Sequence, residues 1–296
     1  MSIGKNKNFF AIFGLLYGAT VWGVIWLPYR LLAESNISGV VASFYTYLIA
    51  LVIGIFVFSK QWRGMFKQPK TIAWLILAAG WTNLSYVLAV IDGEVMRVIL
   101  LFYLSPVWTL LLAHFWLKER AGLKEVMVIV VSLVGAFIML SDASRPGQLP
   151  LPSSQSDWLA VSAGIGFALT NVITRKSAHL SLAAKSFAVW VGVVLLSLFG
   201  ILFFNQTLSL PSTINPMDWG LLLIIALLLF SSTLLVQYGV THMTAARASV
   251  IFLFELVVAA IAAYFLAGEA MTINAWIGGA LIVSAAIYAS TISDLG

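Results

Sequence analysis

An all-α membrane protein, with ten transmembrane helices arranged as two inverted five-helix repeats, is the fold class this sequence predicts. Three observations carry it. First, hydrophobic residues make up 61% and charged residues 9% of the 296, and the mean hydropathy is +1.02. A soluble domain carries about 45–50% and about 25% respectively, so the bilayer must serve as solvent here. Second, ten apolar segments reach the roughly 17–25 residues that cross a hydrocarbon core. Third, the chain repeats itself. Arg97 and Arg247 stand 150 positions apart, as do Glu119 and Glu269, and the same offset carries Gly14 onto Gly164, Tyr17 onto Phe167 and Thr20 onto Thr170. Such self-similarity marks a duplicated structural unit.

The spans fall near 9–31, 40–59, 71–91, 96–117, 123–141, 157–177, 183–204, 217–239, 245–266 and 272–293. The first is too long for a signal-peptide core of about 7–15 residues and lacks a small-residue cleavage site, so it reads as a retained helix. Turn and charge chemistry separates the spans, as in Lys60–Gln61–Trp62–Arg63–Gly64 and Lys118–Glu119–Arg120. The longest break, rich in Pro, Ser and Gln, divides the chain into a first repeat over 1–141, an external linker over 142–156 and a second repeat over 157–296. With the N-terminus inside, thirteen of the 16 Lys and Arg lie on the inner side and only Arg30, Arg97 and Arg145 lie outside. Positive charge marks the cytoplasmic face, so both termini are expected there. Five helices per repeat is an odd number, which inverts the second repeat relative to the first. That is a common architecture of secondary transporters, with the substrate held near the midplane.

Several function classes are excluded at this stage. The net charge of +5 comes from loop anchors and does not indicate a nucleic-acid partner. The absence of Cys removes disulfides, thiolate metal sites and Cys nucleophiles, and neither a metal nor a cofactor is expected. The chain contains no H-E-x-x-H, G-x-S-x-G or phosphate-binding loop motif, so an enzyme is not expected. No selectivity-filter sequence or ring of charges suggests a channel.

Pro106 inside an apolar run, followed thirteen residues later by Glu119, resembles the hallmark of EamA-type permeases of the drug/metabolite transporter superfamily. The second half keeps the spacing from Leu256 to Glu269, with Leu in place of the proline. The resemblance covers essentially the whole chain, and its Trp and Tyr richness is similar to that of YddG-type aromatic amino acid exporters. It implies a central cavity lined by spans 1, 3, 4, 6, 8 and 9, with spans 5 and 10 as peripheral scaffold.

Candidate site residues follow from polar groups and aromatics inside spans. Asn83 and Tyr86 share a face of span 3; Phe167, Asn171 and Thr174 share one on span 6; Thr233 and Gln237 share one on span 8. Amides in hydrocarbon need either a partner across helices or a wet cavity. Tyr17, Trp22, Tyr103 and Trp108 sit within spans, where they suit an aromatic-lined cavity or plain core packing equally. Glu255 is the acid placed nearest the middle of a span; it suits a substrate ammonium, proton transfer or a buried hydrogen bond. Pro106 strips the carbonyl of Phe102 of its helical partner and reads as a kink or a hinge. Arg97 and Arg247 open spans 4 and 9 and read as gates or snorkelling anchors. Gly14 with Gly18, and Ala275 with Gly279, have the spacing of close helix packing.

The expected substrate set is therefore Tyr17, Trp22, Asn83, Tyr86, Tyr103, Asn171, Gln237 and Glu255, with Pro106, Arg97 and Arg247 as hinge or gates. The expected function is export of neutral, mainly apolar amino acids, aromatic ones included, and related metabolites across the inner or plasma membrane by alternating access. The partners are the small-molecule substrate and the lipid bilayer, with protons as a candidate coupling ion. The alternatives are a carrier of nucleotide-sugars or drug-like cations, or a channel. No Lys or Arg is placed at mid-span, which argues against phosphate-bearing substrates.

Overall fold

The computed structural model describes residues 2–93, 95–119, 121–140, 152–203, 208, 214–268 and 271–291. Among them, ten helical spans are long and apolar enough to cross a membrane. The first span is α1 (Ser2–Val24) followed by α2 (Trp26–Glu34); then come α3 (Gly39–Val57) and α4 (Pro69–Asp92). The fourth span is built from α5 (Val95–Phe102), α6 (Ser105–Leu112) and a π-helical turn at Ala113–Leu117. Then follow α7 (Leu123–Leu140), α8 (Gln155–Lys176), α9 (Leu182–Phe203) and α10 (Pro216–His242). The ninth span is split into α11 (Ala245–Phe252) and α12 (Phe254–Ala267), and α13 (Ile273–Thr291) is last.

Local chemistry sets the ends. Ser154 accepts from the backbone N–H of Asp157, whose carboxylate accepts in return from the backbone N–H of Ser154, closing a capping box. Helix α8 therefore starts at Gln155, slightly inside the expected linker; positions 142–151 lie outside the described residues. Asn215 caps α10 by accepting from the backbone N–H of Asp218 while its own side-chain amide donates to the Asp218 carboxylate, with Pro216 in the first turn, where its missing N–H costs nothing. The fourth and ninth spans end on left-handed residues, Lys118 at φ 57° and Gly268 at φ 69°. These positions are repeat equivalents.

The two interrupted spans share more than their ends. Span four breaks at Tyr103–Leu104 and span nine at Leu253, the repeat equivalent of Tyr103. At both breaks the chain tightens to three-residue hydrogen bonds, Leu104 N–H to Leu101 O and Leu253 N–H to Val250 O. Pro106 was expected to kink a continuous helix; it lies instead in the first turn of α6, where proline is well tolerated. Because the break recurs where Leu256 replaces proline, the interruption belongs to the repeat and does not depend on Pro106. The break at Ile25 in the first span was not expected from sequence.

Packing follows the repeat. Helix α4 lies on α8 and α9 as α10 lies on α1 and α3, while α3 with α9 and α7 with α13 are pairs of equivalent helices. Glycines allow the closest approaches. A Cβ at Gly80 of α4 would stand 2.7 Å from the carbonyl carbon of Gly192 on α9, and one at Gly135 of α7 would stand 2.8 Å from Gly278 O on α13. Such contacts place backbone against backbone. Gly14 and Gly18 serve this role against α10, at Leu235 and Val236. On α13 the close contact is made by Gly278 and not by the expected Gly279, where an added Cβ would meet only Val257, at 3.9 Å. The outer faces are apolar and open, with Phe56 at 79% and Ile273 at 76% exposure, as a lipid-facing surface requires.

Candidate substrate site and its closure

The two breaks bring Phe102 and Phe252, the last residues of α5 and α11, to either side of Phe167 on α8. The ring centroids are 5.7 Å apart for Phe102–Phe167 and 5.1 Å apart for Phe167–Phe252. Tyr86 of α4 extends the string to Phe102 at 4.9 Å, and Tyr103 meets Phe102 edge-on at 5.4 Å. Tilted and edge-on contacts at these distances are the favoured aromatic geometry. Gly164, one turn before Phe167, lets α8 approach the freed carbonyl of Phe102; an added Cβ would stand 2.8 Å from that oxygen. Four of the six spans that the resemblance assigned to a central cavity thus meet through rings.

On one side of this aromatic layer lies Glu255, in the first turn of α12. Tyr103 hydrogen-bonds to its carboxyl, and Tyr86 stands within electrostatic range. Gly23 of α1 presses on the backbone here, since an added Cβ would stand 2.9 Å from Glu255 O. No basic side chain pairs with Glu255 among the described residues.

On the other side lie buried amides. Asn171 Nδ2, Thr174 Oγ1 and Gln237 Oε1 have no protein partner, and neither does Asn83 Oδ1 on α4. Such a group costs about 1–3 kcal/mol when left unmade, so several together mark a site that a ligand or solvent completes. Phe167, Asn171 and Arg175 follow at four-residue steps down one face of α8, while Gln237 and Thr241 are one turn apart on α10. Spans six and eight run in the same direction. Since Arg175 Nη1 donates to Thr241 O at 2.7 Å, Asn171 and Gln237, each four residues earlier, lie near one level, about 6 Å further in.

Below the amides the helix ends are tied together. Arg175 Nε donates to Glu119 Oε1 at 3.0 Å, and the backbone N–H of Ala245 donates to Glu119 Oε2 at 3.3 Å. Lys185 of α9 donates to Thr241 Oγ1, which itself donates to Gln237 O. Thr244 Oγ1 donates to Glu125 Oε1 at 3.1 Å. Glu119 comes from the first half, and Arg175, Thr241 and Ala245 from the second. This end is latched across the repeat boundary. Sequence reading noted Glu119 only as a family mark and missed the latch, because its partners lie 56 and 126 positions away.

Other expected residues stand elsewhere. Tyr17 donates to or accepts from Ser231 Oγ at 2.8 Å on α10, and Trp22 packs on the large cluster around α3 and α9. Thr233 bonds its own helix at Leu229 O. Arg247 is not a snorkelling anchor: it is 1% exposed, and its Nε donates to Ala289 O at 2.9 Å, clamping α11 to the end of α13. Terminal helix carbonyls are natural acceptors for a cation. A shallow dent beside it, with no enclosed space for a ligand, is lined by Glu125, Val128, Ala246, Arg247, Val250 and Ala289. The Arg97 side chain lies outside the described ones, as does Glu269. Lys185, counted above as a surface anchor, is fully buried.

Ten spans, paired interrupted helices and a polar centre between two halves define a membrane transporter of the inverted-repeat kind. The model of the EamA-like transporter family matches residues 9–141 and again 155–291, so the chain belongs to that family. An uncharacterized transporter of Archaeoglobus fulgidus is 24% identical over 244 residues, covering 77% of this chain and 78% of that one. One crystal structure shares the fold at a TM-score of 0.75 and 18% identity, over 96% of this chain and 97% of the other.

Proposed function

We propose that this EamA-family transporter is a secondary carrier that moves neutral, mainly apolar amino acids outward across the cell inner membrane by alternating access. The observation supporting this most is the aromatic layer of Phe102, Phe167 and Phe252, with an acid on one side and unpartnered amides on the other. A zwitterion with an apolar side chain asks for an acid for its ammonium, hydroxyl donors such as those of Tyr86 and Tyr103 for its carboxylate and rings for its side chain, and the amides below the rings offer a second polar station on the path. In this reading Glu255, Tyr86 and Tyr103 form one subsite and Asn83, Asn171 and Gln237 the other. Tyr17 and Trp22 brace the helices behind them, Arg97 and Arg247 stand at the span ends, and Pro106 stiffens the start of α6 at the hinge.

A carrier of anionic metabolites is the second reading, favoured by the buried Lys185, which removes the expectation that spans lack a counter-charge. Uptake into proteoliposomes of labelled phenylalanine, tryptophan, threonine and a nucleotide-sugar separates the two. Saturable counterflow of the amino acids is expected, and transport of the nucleotide-sugar alone overturns the proposal.

The charge distribution supports cytoplasmic termini, an external linker over 142–156 between the repeats, and a latch at the cytoplasmic end. Reporter fusions at Gly147 and Gly296 should signal outside and inside respectively. An inside signal at Gly147 contradicts this orientation.

A further inference from the structure

We propose that the loop joining α3 to α4 is a binding surface for the headgroups of anionic phospholipids, on the same side of the bilayer as Glu119. It holds for any substrate and stands apart from the amino acid reading. Only its assignment to the cytoplasmic leaflet rests on the orientation proposed above.

The loop and the first turn of α4 carry four basic residues within eleven positions, Lys60, Arg63, Lys67 and Lys70. The chain has no Asp or Glu between Glu34 and Asp92. Lys60, Lys67 and Lys70 are exposed, and none of them makes a salt bridge among the described residues. The helices around the loop supply no acid either. Helices α3 and α9 contain none, and Asp92 lies at the far end of α4. Two acids of this side are already engaged, Glu119 by Arg175 and Ala245, and Glu125 by Thr244. The loop after span four differs: it mixes Lys118, Arg120 and Lys124 with Glu119 and Glu125. Concentrated positive charge without internal partners is the complement of an anionic headgroup layer.

Orientation of the chain accounts for positive charge on this side, but not for apolar residues set between the charges. Trp62, Met65 and Phe66 interrupt the basic run, and Phe66 is 69% exposed. One turn beyond Lys70, Trp74 is 65% exposed. Exposed aromatics beside cations mark a segment that lies in the membrane interface. The loop is also held in place. Trp62–Lys67 form a short 3-10 helix that packs on α9. An added Cβ at Gly64 would stand 3.5 Å from Ala184 Cβ and 3.6 Å from Ser181 Oγ. The charges are therefore presented from a fixed backbone. A lipid phosphate offers the acceptor oxygens that their N–H groups require.

The test is titration of phosphatidylglycerol and phosphatidylcholine into the purified protein in neutral detergent, read by native mass spectrometry. Wild type should prefer phosphatidylglycerol by about thirtyfold, the effect of two basic residues on one headgroup at about 1 kcal/mol each. Combining Lys60→Gln, Lys67→Gln and Lys70→Gln should bring the preference to within about threefold of one. Combining Lys7→Gln, Lys124→Gln and Lys176→Gln removes the same charge from the same side and should leave the preference unchanged. All six lysines are exposed, so both variants should remain folded. A preference kept in the first variant, or lost in both, overturns the proposal. Displacement of the lipid by an equal concentration of inorganic phosphate marks a site for free anions and overturns it as well. Each of these outcomes leaves the transport reading standing, since counterflow measures that separately.

Discussion

With an amino acid as the proposed substrate, Glu255→Gln should lower the affinity for phenylalanine by about thirtyfold or more while leaving the protein folded. The variant keeps the size and a hydrogen-bonding group for Tyr103 but removes the one negative charge placed beside the aromatic layer. Losing one member of a buried, hydrogen-bonded charge pair costs about 2–5 kcal/mol, and each 1.4 kcal/mol is tenfold. The loss should be specific to the amine. An N-acetylated phenylalanine, which presents no ammonium, should compete weakly and equally in both proteins. Tyr103→Phe should cost less, since it removes only a neutral donor, worth about 1 kcal/mol. Competition curves on reconstituted protein decide the matter. An unchanged phenylalanine affinity in Glu255→Gln reduces Glu255 to helix packing.

How much of this was legible in the sequence depends on the length scale of the interaction. The spans, their number and the repeat could be read because hydropathy and the 150-residue offset are properties of the chain alone. Glu255, Tyr86, Tyr103, Asn171 and Gln237 stood out because polar groups in apolar segments need a reason, and all of them lie near the aromatic layer or the amides below it. The layer itself was only partly seen. Phe102 and Phe252 look like any other apolar residue until the breaks of α5 and α11 aim them at Phe167. The breaks were hidden because one carries a proline and the other does not. Arg247 and Lys185 were misplaced for a related reason. Both lie within one turn of a span end, where charge counting assigns residues to water, but helices packed around those ends bury them. No local pattern records which helix covers an end.

The latch gives the other large effect. Glu119 accepts from Arg175 and from the backbone of Ala245, so Glu119→Gln weakens two charge-assisted bonds across the repeat boundary. The pair is about a quarter exposed, at 28% and 25%, which screens it in part. We take about 2 kcal/mol, within the range for hydrogen bonds to charged groups, and expect the latched state to lose about thirtyfold in population relative to the opened one. At the opposite end the described tie between the halves is a single hydroxyl, Ser35 Oγ donating to Asp218 Oδ1 at 3.1 Å. At the 150-residue offset Arg175 and Thr241 fall on Ile25 and Ile91, and Lys185, fourth in α9, corresponds to Ala42, fourth in α3, so the cations facing Glu119 have no basic counterparts at these positions. Among the described residues, inversion duplicates the helices but not this charge cluster, which favours closure at the Glu119 end. The chain has no cysteine, so Asn171→Cys reports alone on access to the amide layer. Labelling by a membrane-impermeant maleimide from the Glu119 side should accelerate by about thirtyfold when Glu119→Gln is added, in proportion to that population shift. The exchanged pair, Glu119→Arg with Arg175→Glu, should recover part of the closure that either single change removes. Equal labelling rates with and without Glu119→Gln exclude a latch, because the amide layer would then be sealed by the apolar helix contacts alone.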